Sequence, residues 1–261
     1  MTILEAIILG LVQGLTEFLP VSSSGHLVIT QEILGLQEPG VTLEVLLHFG
    51  TLLSVFWVFG RDFLNLLQFR KNKEERRFLI MLIAGVIVTG LMGIFLSGYT
   101  DQLFQSTLLV GVMLLVTGII LKIITVLPAG LKDKGTMTLK DALWIGFIQG
   151  MAIIPGISRS GSTIMAALWR GLNRETAVKY SFMLAAPIIL GGTLLEIREI
   201  FQIGINQAML LNYFAGGLVA FLSGVVAIKI FIRLLAGGHF QIFACYCWAA
   251  GTLIIIYSLL F

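Results

Sequence analysis

The sequence predicts an all-α polytopic integral membrane protein built as an inverted-topology repeat, each half being one re-entrant helix hairpin plus three transmembrane helices. That makes six spans and ten helices in all. Three observations predict it. Of 261 residues, 57% are hydrophobic and 12% charged, with a mean hydropathy of +0.99, against about 45–50% apolar and about 25% charged in a soluble domain. The chain repeats itself at an offset of 136: Thr2, Ala6, Gly10, Gln13, Gly14, Ser22, Ser24, Gly25, Gly35 and Leu36 recur as Thr138, Ala142, Gly146, Gln149, Gly150, Ser158, Ser160, Gly161, Gly171 and Leu172. Shared greasiness does not produce ungapped agreement on Gly, Gln and Ser. Finally, the basic residues fall almost entirely on one side of the predicted membrane.

The first repeat covers 1–128. Its opening hairpin, about 2–36, has an apolar arm, a break at Pro20, a Ser/Gly cluster and a second short arm ending at Gly35. Neither arm, at roughly 15 residues, comfortably crosses a hydrocarbon core that takes about 20. A proline break with serines and glycines is tolerated at membrane depth only inside protein or beside a wet cavity, so the arms are expected to enter and leave on one side. No basic n-region precedes the first arm, since the first Lys or Arg is Arg61, so this segment is not read as a signal peptide. Spans follow at about 42–60, 78–98 and 103–127. The second repeat, 129–261, has a hairpin at about 138–172 broken at Pro155, then spans at about 176–197, 209–235 and 240–261.

Three spans between the hairpins place them on opposite faces. Arg61, Arg70, Lys71, Lys73, Arg76, Arg77, Lys122, Lys132, Lys134, Lys140, Arg170, Arg174, Lys179, Lys229 and Arg233 then lie on one side, only Arg198 lies on the other, and Arg159 sits in the second tip, which accounts for all 17. By the positive-inside rule both termini and the first hairpin face outside, and the second hairpin enters from the cytoplasm. Two broken tips meeting at the midplane is also how transporter sites are built. The net charge of +3 and pI near 9.0 reflect this topology, so no nucleic-acid partner is expected. Cys245 and Cys247 diverge on one helix and are read as apolar fillers, leaving no cysteine framework or Cys/His metal site.

The chemistry-bearing residues gather at the tips. Gln13 and Glu17 are four apart and share a face of the first arm. Ser22, Ser23, Ser24, Gly25 and His26 follow at the start of the second arm, where free N–H groups and the helix dipole favour an anion. The second tip supplies Ser158, Arg159, Ser160, Gly161, Ser162 and Thr163, adding a guanidinium that can grip phosphate with two N–H groups. Each has a plainer role: serines cap helices, a histidine can be structural, and Glu17 with Arg159 can form a purely structural pair. Together they describe a polyanion site with acid–base capacity. Glu44 and His48 are four apart on the next span, as partners of the site or as a polar seam. Gly191-Gly192 and Gly216-Gly217 are read as close-packing positions. Glu196, Arg198 and Glu199 read as interfacial charge, and His239 as a turn residue.

The runs QGLTEFLPVSSSGHL and PGISRSGST resemble the two signature motifs of the bacterial undecaprenyl-diphosphatase family, the bacitracin-resistance phosphatases. The resemblance implies a multi-pass inner-membrane enzyme that hydrolyses undecaprenyl diphosphate to undecaprenyl phosphate and phosphate, recycling the lipid carrier of cell-wall synthesis, with a site opening to the outer face. It implies a divalent cation, Mg²⁺ or Ca²⁺, with Glu17 and Gln13 as metal ligands, although Gln13 stands where other members carry Glu and so removes one charged oxygen. It implies Glu17, Ser23, His26 and Arg159 as catalytic residues. Ser22, Ser24, Gly25, Ser158, Ser160, Gly161, Ser162 and Thr163 would bind phosphate through the two donor nests. Ser23 attacking with His26 as base, His26 attacking directly, and Glu17 orienting His26 are all open. The implied partners are the lipid diphosphate, bacitracin as competitor for it, membrane lipid and, optionally, a second copy of the chain as homodimer. The alternative from another class is an inverted-repeat transporter or flippase of polyprenyl phosphate or another anion.

Overall fold

The computed structural model describes residues 1–36, 41–99, 103, 106–128, 130–203, 210–237 and 240–260. His239 and the side chains of Glu196, Arg198 and Glu199 lie outside the described residues. Among the described residues ten α-helices carry the fold: α1 (Ile3–Phe18), α2 (Ser23–Ile33), α3 (Val41–Leu66), α4 (Lys73–Leu96), α5 (Thr107–Val126), α6 (Leu139–Met151), α7 (Arg159–Trp169), α8 (Arg174–Ile203), α9 (Leu210–Ala236) and α10 (Gln241–Leu260). Six of them, α3, α4, α5, α8, α9 and α10, are long and apolar enough to cross a membrane. The protein is thus an all-helical polytopic membrane protein.

Spans overshoot the apolar runs read from sequence where a run ended at charge. α3 continues past Arg61 to Leu66, α4 begins at Lys73 rather than near 78, and α8 runs from Arg174 to Ile203. A helix is not obliged to stop at the hydrocarbon boundary, because charged residues extend it into the headgroup region at no desolvation cost. Side chains such as Trp57 (70% exposed), Ile94 (76%) and Leu195 (74%) would be a liability in water and are the lipid-facing belt of a membrane bundle.

The two hairpins are built from matching local signals. Thr2 and Glu5 form a capping box at the start of α1, and Thr138 and Asp141 form another at the start of α6. Leu19, before Pro20, is extended (φ −68°, ψ 142°) and ends α1. α2 ends on Gly35 (φ +64°) with Leu36 N–H bonded to Gln31 O at 3.0 Å, and α7 ends on Gly171 (φ +81°) with Leu172 N–H bonded to Ala167 O at 3.1 Å. Both are Schellman endings, which need the left-handed conformation that glycine adopts without strain.

Close helix contacts position these hairpins. α1 lies against α9, where a Cβ on Gly10 would stand 2.3 Å from Gly216 O, and α6 lies against α4, where a Cβ on Gly146 would stand 2.6 Å from Gly85 O. The hydroxyl of Ser223 on α9 reaches Gly10 O at 3.5 Å, and that of Thr89 on α4 reaches Gly146 O at 2.9 Å. Gly216 and Gly217 are close-packing positions, where an added Cβ would stand 3.0 Å from Ala6 O and from Leu46 O respectively. Gly191 and Gly192 are not: no described atom lies within 4 Å of where either Cβ would be, because this face of α8 borders a cavity rather than a helix. Behind the tips an aromatic chain from Phe18 through Phe182 and Phe231 to Phe240 fills the core with ring centroids 5.6–5.7 Å apart. Cys247 is buried against Pro20 O and Cys245 is exposed on another face of α10.

Candidate active site

Glu17 sits in the last turn of α1, 8% exposed, and gathers the site around its carboxylate. Oε2 accepts from Ser23 Oγ at 2.6 Å and from Gln13 Nε2 at 3.1 Å. Oε1 is paired with Nη2 of Arg159, the first residue of α7, so one ion pair bridges the two tips. Further contacts seat the tips on each other: a Cβ on Gly25 would lie 3.7 Å from Gly156 Cα, and one on Gly161 would lie 3.2 Å from Pro20 Cβ. From α5, buried Thr117 donates to Gly156 O at 2.8 Å and accepts from Ser158 N–H at 3.0 Å, fixing the second tip from a span. Thr117 was missed in the sequence; a lone hydroxyl inside an apolar run was its only signal.

A polar cavity of about 170 Å³ opens at this junction, lined by Glu17, Ser22, Ser23, Ser24, Ser158 and Arg159, with His48 and Thr16 beside them. Two atoms beside it are buried without a partner among the described residues, Arg159 Nη1 and Gln13 Oε1. Such atoms are costly to leave unmade in a dry interior, and ligands commonly complete them.

The two donor nests differ. Ser158 caps α7 by accepting from Gly161 N–H at 3.1 Å, whereas Ser22 makes no side-chain cap and sits at φ +69°, a conformation a serine rarely holds. The α2 N-terminus is therefore left without a side-chain cap. Ser160, Gly161, Ser162 and Thr163 do not line the cavity: α7 is buried on every face from Ser160 to Leu168, and Thr163 bonds to Ser181 and to Arg159 O. Two of the first-turn N–H groups are already used inside the tip, Gly161 by Ser158 Oγ and Ser162 by Ser158 O at 2.9 Å, and the side chains are packed into the protein. Gly25 likewise serves packing rather than lining.

His26 also points elsewhere. Its Nδ1 lies 2.8 Å from Ser22 O and its Nε2 2.6 Å from Tyr246 OH, with the rings stacked at 5.6 Å. A carbonyl only accepts, so Nδ1 carries the proton and Nε2 accepts from the tyrosine. Neither nitrogen contacts Ser23 or Glu17, and Ser23 instead has Glu17 as its hydrogen-bond partner. The imidazole that does face the cavity is His48, its Nδ1 held by Glu44 O at 3.0 Å. The i, i+4 relation of Glu44 and His48 thus works through the backbone carbonyl.

Among the described residues no group of three or more His, Cys, Asp or Glu converges. The oxygens at hand are one carboxylate and the unpartnered Gln13 Oε1, a set that fits a hard cation sharing its shell with phosphate and water rather than an all-protein cage.

The profile of a family described as bacitracin resistance protein BacA matches residues 6–253. A protein of Halothermothrix orenii named undecaprenyl-diphosphatase is 45% identical over all of both chains. One of Alkaliphilus metalliredigens with the same name is 42% identical over all of both chains, and one of Methanosphaera stadtmanae, again so named, is 40% identical over 98% of each.

Proposed function

The chain belongs to the bacitracin resistance protein family, and from that premise we infer that it is an undecaprenyl-diphosphatase whose chemistry takes place where its two hairpin tips meet. The observation that carries the site is the contact set Ser23–Glu17–Arg159, a hydroxyl, a carboxylate and a guanidinium from both tips around one polar cavity. The relatives' names favour hydrolysis over transport.

The terminal phosphoryl group enters the cavity between the first turn of α2 and Arg159. Its oxygens meet the N–H groups after Ser22 and the free Nη1 of Arg159. A phosphate drawn to Arg159 loosens the guanidinium's hold on Glu17 Oε1 and leaves that carboxylate more basic, so substrate binding itself readies the base. Ser23 Oγ attacks the terminal phosphorus, its proton passing to Glu17 Oε2. The P–O bond to undecaprenyl phosphate breaks, Glu17 passes its new proton to the departing oxygen, and the charge that develops there is met by Arg159. Glu17, a carboxylate again, takes a proton from water as the water attacks the phosphoserine, and returns it to Ser23 Oγ as the P–O bond to serine breaks and phosphate is freed. His48 stands by the cavity as a hydrogen-bonding imidazole.

Glu17 and Gln13 Oε1 would hold a divalent cation together with substrate oxygens, and when bound it would neutralise diphosphate charge. We place the protein in the inner membrane with both termini outside and the site opening outward. Bacitracin resistance then follows from enzyme and antibiotic competing for one pool of lipid diphosphate.

The test is phosphate release from undecaprenyl diphosphate in detergent, with and without EDTA. Arg159→Lys keeps the charge but loses the fork, and is expected to lower kcat/KM by about 10²-fold or more. Glu17→Gln is expected to lose about 10²–10⁴-fold in protein that still elutes as a folded peak. Near-normal turnover in either variant overturns its assigned role, and EDTA-insensitive release removes the cation.

A further inference from the structure

A roomier cavity lies next to the polar one, about 730 Å³ between α4, the α6 end and α8. Its size is that of a pocket for a drug-sized ligand. The two cavities share Ala152, Ile153 and Arg159 as a common wall.

Two observations show that this space is built to be filled. Gly90 and Gly93 on α4 face Gly191 and Gly192 on α8 across it, and a Cβ on any of the four would meet no described atom within 4 Å. Glycines at Gly10, Gly14, Gly50 and Gly146 let backbones touch; these four keep two helices' walls clear. Glycine inside a helix is destabilising compared with alanine, and these four, unlike the equally unpacked Gly60, all line one cavity. Moreover, Gln149 Oε1, on the groove, and Arg159 Nη1, on the shared wall, are buried without partners among the described residues. The rest of the lining is apolar and runs out to the exposed side chains of Ile94, Leu194 and Leu195 at the lipid-facing surface.

We propose that this groove is the binding site for the isoprenoid chain, holding the isoprene units next to the diphosphate, with Arg159 on the wall that the two cavities share. The proposal rests on the diphosphatase reading. A methyl-branched chain is wider than a straight acyl chain, and a slot walled by paired glycines offers that width. The continuity of an apolar groove with a polar cavity matches a molecule that is apolar along its length and polyanionic at one end. The groove also gives the substrate a lateral route from the bilayer to the tips between α4 and α8.

Gly93→Leu and Gly191→Leu fill the slot, and Gly60→Leu, on α3 with open space around it, serves as control. Each groove variant is expected to raise KM for undecaprenyl diphosphate about tenfold or more, with kcat changed far less, as befits a blocked hydrophobic subsite. Unchanged KM, or a fall in kcat alone, overturns the proposal. Leucine replacing an unpacked helical glycine should not lower the melting temperature, and a clear drop would show that the space is occupied by protein. A second readout needs no turnover: a photoreactive polyprenyl phosphate should label α4 and α8 peptides in the parent protein and lose that labelling in the variants. Labelling confined to other helices overturns the groove, as does labelling equally displaced by excess straight-chain phospholipid, which would make the slot a site for bulk lipid. If the parent protein releases no phosphate yet is labelled on α4 and α8, the diphosphatase reading falls and the isoprenoid site stands.

Discussion

Ser23 and His26 are three residues apart, yet the first turn of α2 sends them to different places: Ser23 to Glu17 in the cavity, His26 to Tyr246 on α10. The partner of the proposed nucleophile is therefore a carboxylate from the preceding helix, and the histidine three residues on ties the α2 start to a span. This separates two variants that sequence alone would group. Ser23→Ala should cost about 10²–10⁴-fold in turnover, the range for removing an activated nucleophile or its base. His26→Ala should cost no more than about tenfold, the worth of one or two hydrogen bonds, and Tyr246→Phe should reproduce part of that loss because it removes the same bond. Steady-state phosphate release from the three variants decides it. A His26 variant as inactive as Ser23→Ala, with Tyr246→Phe normal, would return the histidine to the chemistry.

At the scale of the element, the hairpins are held from below by charge and from the side by missing side chains. Asp141, fully buried at the start of α6, pairs with Lys132 in the preceding loop at 3.0 Å and with Arg170 at the end of α7 at 2.7 Å. Lys134 pairs with Glu75, and Arg77 donates to Met137 O at 2.7 Å. Basic residues that the sequence reading places on one side of the membrane thus also close the base of the second hairpin. Asp141→Asn should cost about 1–3 kcal/mol, below the full price of a buried pair because Lys132 and Arg170 are about one-third exposed (34% and 38%). Thermal unfolding in detergent reads this, and an unchanged melting temperature would reduce the cluster to topology alone. For the sides, Gly10→Ala puts a Cβ against backbone, which cannot move aside as a side chain can. It should destabilise by about 1–3 kcal/mol from overpacking, offset by a gain of up to about 1 kcal/mol in helix propensity. Gly191→Ala, facing the groove, should keep the propensity gain alone. Opposite signs for the two changes are the expected result, and equal signs would remove the distinction between packing and groove glycines.

At the scale of the whole molecule, what was legible in the sequence was whatever repeats or obeys a local rule. Hydropathy marked the six spans, and Thr2, Pro20 and Gly35, with Thr138, Pro155 and Gly171, marked the hairpins, because caps, breaks and left-handed endings are set by a few neighbouring residues. Span ends were less legible at Arg61 and Lys73, where charge stops an apolar run but not a helix. In the site, Glu17, Ser23 and Arg159 were legible as residue types, and their convergence is a tertiary fact. So are the turn of His26 toward Tyr246, the approach of His48, and the inward facing of Ser160 to Thr163, since all depend on which helix lies alongside. The same contacts recur on both sides of the offset: α1 on α9 with Ser223 reaching Gly10 O, and α6 on α4 with Thr89 reaching Gly146 O. Each hairpin's first arm thus leans on the second span of the other half, as expected of halves that interleave. If the halves are inverted, Ile33 (78% exposed) at the end of the first hairpin faces outside and Leu131 (95% exposed) before the second faces the cytoplasm. In a variant with Cys245 and Cys247 replaced by Ser, Ile33→Cys in intact cells should react with a membrane-impermeant maleimide. Leu131→Cys should react only after permeabilisation. Labelling of both from one side would keep the packing but make the repeat parallel, and labelling with the sides exchanged would turn the site's mouth to the cytoplasm, away from the face where the lipid diphosphate is proposed to enter.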